Sequence, residues 1–259
     1  MRNTHGDFIW YELQTPDPSA SRSFYGGVVG WRMEPEPSGP ADYRVFRAPD
    51  GPVGGVLALT PAMRGIGARP VWVGYVGVDD VDASVAALEA AGGRTLMPAT
   101  TVPGVGRMAM LGDADGAPFY VMRGEPDERS EAFTPAPDER LGHVVWNELA
   151  AGDPARAIAF YGDAFGWRAE GGMPIGELGE YRFLHHDGRM IGAVMPRVLG
   201  AEGWLFYFHV PDIDAARDRV VAAGGTMEQE PIEIPGGGFS LSARDPHGAR
   251  FGLVGRRTA

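Results

Sequence analysis

WYELQTPDPSASRSFYGGVVGW, from Trp10 to Trp31, returns as WNELAAGDPARAIAFYGDAFGW from Trp146 to Trp167. Trp10 and Trp146, Glu12 and Glu148, Asp17 and Asp153, Phe24 and Phe160, Tyr25 and Tyr161, and Trp31 and Trp167 all stand 136 residues apart. One offset held over so many positions marks a tandem duplication, which has to be recognised before any residue is given a role.

The repeated stretch reads as a strand followed by a helix. Ile9, Tyr11 and Leu13 alternate with Trp10, Glu12 and Gln14, the two-residue period of a strand with unlike faces. Thr15 to Pro18 breaks the alternation. Asp17 is suited to cap the helix that follows, with Pro18 at its first position. The helix carries Phe24 and Tyr25 and is expected to stop near Gly26, Gly27 and Gly30.

Composition narrows the functions open to the 259 residues. The repeat divides that length into two domains, and 44% hydrophobic content is ordinary for a globular chain. There is no Cys, so disulfides, thiolate metal sites and cysteine nucleophiles are excluded together. All 23 basic residues are Arg, which excludes a Schiff-base lysine and a phosphate-loop lysine. A net charge of -11 without a basic cluster argues against nucleic acid and anionic membranes as partners. No apolar run reaches a membrane span and the polar start MRNTHGD is unlike a signal peptide, so a cytoplasmic protein is expected.

Further along, strands are expected at Tyr43 to Ala48 and Val53 to Thr60, then a linker to Pro70, a strand from Val71 to Val78 and a helix from Asp79 to Ala91. Thr95 to Thr101, Arg107 to Leu111 and Pro118 to Met122 read as three more strands, with a turn from Asp113 to Gly116. Residues 124–140 have the polar, proline-rich composition of a linker. Residues 72–122 recur as 204–254 at an offset of 132, pairing Asp80 with Asp212 and Asp113 with Asp245. Four related units, at about 5–65, 70–123, 141–200 and 203–256, therefore make two domains, 1–123 and 141–259. The stretches GVGR from Gly104 and GGG from Gly236 read as hairpin turns, since neither opens a helix.

Four such units, FYxxxxGW after the first helix of each half, and DADG and DPHG before the final strands resemble the vicinal oxygen chelate superfamily, which includes glyoxalase I, extradiol dioxygenases and bleomycin-resistance proteins. The resemblance covers nearly the whole chain. It implies an α+β fold in which four βαβββ units form two glyoxalase-like domains, with helices outside curved mixed sheets around cavities. It is specific for fold and weak for function, because the scaffold hosts metal enzymes and plain binding proteins. The family's metal ligands lie on the first and last strands of a unit. By that resemblance the first-strand positions are Trp10, Val73, Trp146 and Leu205, and the last-strand positions are Tyr120, Gly252 and the neighbourhoods of Ala58 and Met195. None offers a carboxylate, imidazole or thiolate, so no metal and no cofactor is expected.

Residues two apart share a face of a strand. With the family's geometry this aims Trp10, Glu12, Gln14, Tyr75, Tyr120, Met122, Trp146, Glu148, Leu205, Tyr207 and His209 at the cavities. Such an aromatic lining suits an organic ligand held by stacking and oriented by a few hydrogen bonds. Glu12 and Glu148 beside tryptophans are candidate acids or bases; the same positions also suit carboxylates that brace the strand. His209 is a candidate partner for either Glu, or a packed strand histidine. His185 and His186 point to opposite faces and cannot chelate one ion together. His143 and His247 are read as solvated, and Tyr25 and Tyr161 as core.

The first expectation is a metal-free protein that binds a small aromatic or polyketide-like molecule. The second is a metal-independent isomerase, lyase or cyclase using Glu12, Glu148 or His209, and the third a metal-dependent glyoxalase or dioxygenase. The simplest assembly is a monomer whose halves imitate a homodimer, with a further dimer left open.

Overall fold

Four aspartates start the four long helices. Asp17 accepts from the Ala20 N–H at 2.9 Å, Asp80 from Ala83 at 3.0 Å, Asp153 from Arg156 at 3.1 Å and Asp212 from Ala215 at 2.7 Å. Each cap satisfies a donor that the first turn leaves free and is worth about 1 kcal/mol. The helices are α1 (Pro18–Val28), α3 (Val81–Ala90), α4 (Pro154–Phe165) and α5 (Ile213–Ala222). The fifth, α2 (Pro61–Gly65), is one turn capped by Thr60 and lies where the sequence reading has only a linker; Pro61 at the first helical position is the local cause.

The computed structural model describes residues 3–34, 42–126, 128–198 and 203–258. Residue 127 of the expected linker and the junction between units at 199–202 lie outside the described residues. The strands of the first half are β1 (Phe8–Thr15), β2 (Arg32–Met33), β3 (Tyr43–Ala48), β4 (Gly51–Ala58), β5 (Val71–Gly77), β6 (Arg94–Val102), β7 (Gly106–Gly112) and β8 (Pro118–Gly124). Those of the second are β9 (Val144–Ala151), β10 (Arg168–Pro174), β11 (Glu180–His186), β12 (Arg189–Pro196), β13 (Gly203–Asp212), β14 (Thr226–Ile234), β15 (Gly238–Arg244) and β16 (Arg250–Arg256). Each half forms one mixed eight-stranded sheet, in the orders β2-β3-β4-β1-β5-β8-β7-β6 and β10-β11-β12-β9-β13-β16-β15-β14. No helix among the described residues is long and apolar enough to cross a membrane.

Hydrogen bonding in the sheets follows the halves, but side-chain packing does not. One compact unit comprises Met1–Trp10, Val73–Ser130 and Trp146–Leu205, and packs α3 on α4. The other comprises Tyr11–Trp72, Glu131–Val145 and Phe206–Ala259, and packs α1 on α5.

In the second of these units the core forms around Tyr25, whose ring meets those of Trp31, Phe46, Trp72 and Phe251 at 5.4 to 5.7 Å. Its hydroxyl accepts from Trp72 Nε1 at 2.8 Å and donates to Asp245 Oδ2 at 3.2 Å. Asp245 Oδ1 in turn accepts the N–H groups of His247 and Ala249, closing the DPHG turn. The first unit repeats the device: Tyr161 accepts from Trp204 Nε1 at 3.1 Å and donates to Asp113 Oδ2 at 3.0 Å. Burial, reinforced by the neighbouring aspartate, pushes both tyrosine hydroxyls well above the usual phenol range, and burial raises Asp245 as well.

His143 is buried at 1% exposure, contrary to its reading as solvated. Its Nδ1 meets the Glu131 carbonyl at 2.6 Å and its Nε2 meets Asp50 Oδ1 at 2.9 Å, so the segment before β9 covers the ring and satisfies both nitrogens. His247 is likewise only partly exposed, with its Nε2 buried.

Tyr25→Phe leaves the Trp72 N–H and one Asp245 oxygen without their partner in a dry core. We expect a loss of about 1–3 kcal/mol, read as a lower midpoint in thermal and urea unfolding; curves that superimpose on wild type would remove the phenol from the structural frame.

Candidate functional site

The best-formed polar and aromatic cluster among the expected site residues lies in the first compact unit, on β9 and β11. Phe183 of β11 pairs with Ala193 of β12, and Ala193 pairs with Glu148 of β9, so Phe183 and Glu148 stand on one face with a methyl group between them. Trp146 and Tyr181, two residues away on their strands, share that face. Trp146 Nε1 donates to the Tyr181 hydroxyl at 2.7 Å, and that hydroxyl donates to Glu148 Oε2 at 2.8 Å. The Trp146 and Tyr181 rings are nearly parallel at 8°, and Phe183 meets Trp146 edge-on at 6.2 Å. Trp146, Glu148 and Phe183 are all partly exposed. The relay fixes the carboxylate's orientation beside the partly exposed rings of Trp146 and Phe183.

Tyr181 and Phe183 are absent from the sequence-derived site. A signal for the first exists, since Tyr43 and Tyr181 recur 138 residues apart at the start of equivalent strands. That offset differs from the 136 of the opening stretch, which hides the match.

The other expected residues fall into separate settings. Glu12 and Gln14 on β1 are 2% and 4% exposed, and Gln14 Nε2 donates to Glu12 Oε1 at 3.1 Å, an arrangement that braces the carboxylate. Trp10, at the next position of the same face, is partly exposed. Tyr75 and Tyr120 are paired in register and stack at 4.1 Å with 12° between the rings. Met122 borders a cavity of about 50 Å³ with Asn3, Ile9 and Arg123, room for water and too little for an aromatic ring. Leu205 is buried core.

Tyr207 pairs in register with Gly252. A Cβ at Gly252 would stand 2.3 Å from Tyr207 Cδ1, so the tyrosine ring fills the space that a side chain at this position would need. His209 exchanges backbone hydrogen bonds with the segment before β9, accepting from Gly142 and donating to His143. Burial lowers its imidazole below the usual range, opposed by the Glu139 carboxylate and the Arg140 carbonyl. The groups acting on His209 are thus Glu139, Arg140 and Arg256, while Glu12 pairs with Gln14.

The donor chemistry at the family's metal positions does not fit a divalent cation. Val73 and Leu205 are buried hydrocarbon, Tyr120 is stacked on Tyr75, and Gly252 lies under Tyr207. These side chains offer no carboxylate, imidazole or thiolate to hold such an ion.

Comparison with known proteins agrees with the duplicated frame. The model of the Glyoxalase/Bleomycin resistance protein/Dioxygenase superfamily matches residues 8–121 and again 140–253. A Mycobacterium tuberculosis protein provisionally named glyoxylase CFP32 is 33% identical over 249 residues, covering 95% of this chain and 93% of that one. The anthracycline biosynthesis protein DauV of a Streptomyces species is 34% identical over 273 residues, covering 96% and 93%. Among solved structures, the Mn(II)-bound glyoxalase from Novosphingobium aromaticivorans superimposes with a TM-score of 0.64 at 17% identity, over 99% of this chain and 84% of that one, a likeness of fold. With one match in each half, the chain belongs to the glyoxalase, bleomycin resistance protein and dioxygenase superfamily.

Proposed function

We propose that this chain is a small-molecule binding protein that holds a flat aromatic, polyketide-like ligand without a metal bridge, on the face formed by Trp146, Tyr181 and Phe183. The observation that carries the reading is the relay from Trp146 through Tyr181 to Glu148 beside the partly exposed rings of Trp146 and Phe183. Stacking on the rings supplies affinity, and the oriented carboxylate accepts a hydrogen bond from a ligand hydroxyl, which gives direction. The relative named for anthracycline biosynthesis supports a ligand of this chemistry, since anthracyclines carry fused, hydroxylated aromatic rings. The acidic surface supports an uncharged or cationic ligand over nucleic acid or an anionic membrane. A single cytoplasmic chain with one such ligand is the simplest form of the proposal.

The same relay favours a second reading. A carboxylate held 2.8 Å from a tyrosine hydroxyl is placed for proton transfer, as in a metal-independent isomerase, lyase or cyclase, and Glu148 then acts as the base. Glu12 serves this reading less well, being engaged with Gln14, and burial lowers the His209 imidazole below its usual range.

Titration with planar, hydroxylated polyaromatic compounds in the presence of EDTA should quench tryptophan emission saturably, and Trp146→Phe should remove most of that change. A response that needs added metal, or that survives intact in Trp146→Phe, would sink the proposal. Glu148→Gln should weaken a hydroxylated ligand by about tenfold or more while leaving its deoxy analogue nearly unchanged, as expected for a hydrogen bond to a charged group. If the wild type turns the ligand over, loss of turnover in Glu148→Gln with binding retained selects the enzyme reading.

A further inference from the structure

We infer that Asp7, His186 and Asp187 form a site for a divalent transition ion, separate from the family's metal positions and from the aromatic face. All three belong to the first compact unit. His186 ends β11 and Asp187 opens the turn to β12; Asp7 precedes β1. One donor atom from each lies within 4.8 Å of the others.

Three features hold the group together. Asp187 has φ 46 and is followed by Gly188 at φ 74, a tight hairpin turn that sets its carboxylate beside the imidazole. Gly6 is held at both ends: its carbonyl accepts from Trp167 Nε1 at 2.8 Å and its N–H donates to the Gly77 carbonyl at 2.8 Å. A Cβ on Gly6 would stand 2.4 Å from the Phe165 carbonyl oxygen and 3.0 Å from His186 Nε2, so only glycine lets this segment lie against the ring. Asp7 Oδ2 is engaged by the Thr4 N–H at 2.8 Å, leaving Oδ1 toward the histidine.

The decisive observation is His186 Nε2, a buried nitrogen without a hydrogen-bond partner on a side chain only 7% exposed. The carboxylate oxygens beside it are Asp7 Oδ1 at 3.7 Å and Asp187 Oδ2 at 4.0 Å. Donor atoms that share one ion at about 2.0–2.2 Å each stand roughly 3–4 Å apart, which matches the open spacing. The other compact unit supplies the contrast. His143 there holds the position that Asp7 holds in the first repeat, 136 residues earlier, and it closes directly on Asp50 at 2.9 Å with both ring nitrogens satisfied.

One imidazole and two carboxylates select zinc-class first-row ions over magnesium or calcium. Asp187 is 61% exposed, so further coordination positions open to solvent.

The test is titration of chelator-stripped full-length protein with Co²⁺, followed by visible absorption, and with Zn²⁺ against a chromophoric chelator. The wild type should bind one equivalent with a ligand-field spectrum and gain thermal stability. Asp187→Asn keeps a residue tolerated at positive φ and should weaken binding by about tenfold or more. His186→Gln should abolish the spectrum; if it does not fold, Asp7→Asn takes its place. No saturable binding by the wild type at millimolar ion, or binding undiminished in Asp187→Asn and in the second folded variant, would overturn the inference. Neither result bears on the aromatic face, whose titration is run in EDTA.

Discussion

Everything in this fold leans on a tyrosine hydroxyl placed between an indole and a carboxylate. Tyr25 lies on the first helix of the first half, and the Asp245 it donates to lies in the last turn of the second half. Tyr161 and Asp113 make the converse connection. Each contact spans the duplication and buries polar atoms that are costly unless paired. FY in the helix, Trp72 or Trp204 in the fifth strand of a half and the Asp of the final turn are thus one structural unit. Trp31 and Trp167 add a second tie, donating to the Gly142 and Gly6 carbonyls. This explains why the compact units mix the halves while the sheets keep them apart: backbone ladders form within a half, and the aromatic cores close between halves.

That frame leaves other strand positions free to change. At the positions equivalent to a last-strand metal ligand one half has Tyr120 and the other Gly252, and the opposing tyrosine adapts to each. Tyr75 stacks on its partner ring; Tyr207 lies over a residue without a side chain. Both solutions fill space with aromatic carbon at positions where the metal enzymes of the superfamily place a ligand.

The frame was legible in the sequence because its causes are local or repeated. Asp17, Asp80, Asp153 and Asp212 cap their helices through bonds that reach only three residues, and the fixed offsets bring Tyr25 and Tyr161 into one reading. The site was less legible because its causes are distant. Tyr181 reaches Glu148 across an intervening strand, 33 residues away in sequence. His143 looked solvated beside the polar segment before β9, yet that segment folds over it and Glu131 supplies the acceptor. Asp7 and His186 are 179 positions apart, and no spacing rule connects them before the chain is folded.

A duplicated chain supplies its own control, because the second copy shows what a position does when the frame alone decides. Asp7 and His143 hold equivalent positions before the first strand of each half, and each faces a partner of the other kind: His143 with Asp50 in one unit, Asp7 with His186 in the other. In the first the pair is closed, saturated and needed to seat the segment before β9. In the second it is open, joined by a further carboxylate and fixed by glycine on one side and a left-handed turn on the other. Stability alone favours the closed form, since an unpaired buried nitrogen costs what a satisfied one does not. What sets the open geometry apart is the pair of carboxylates beside the unpaired nitrogen, an arrangement that a bound cation would complete.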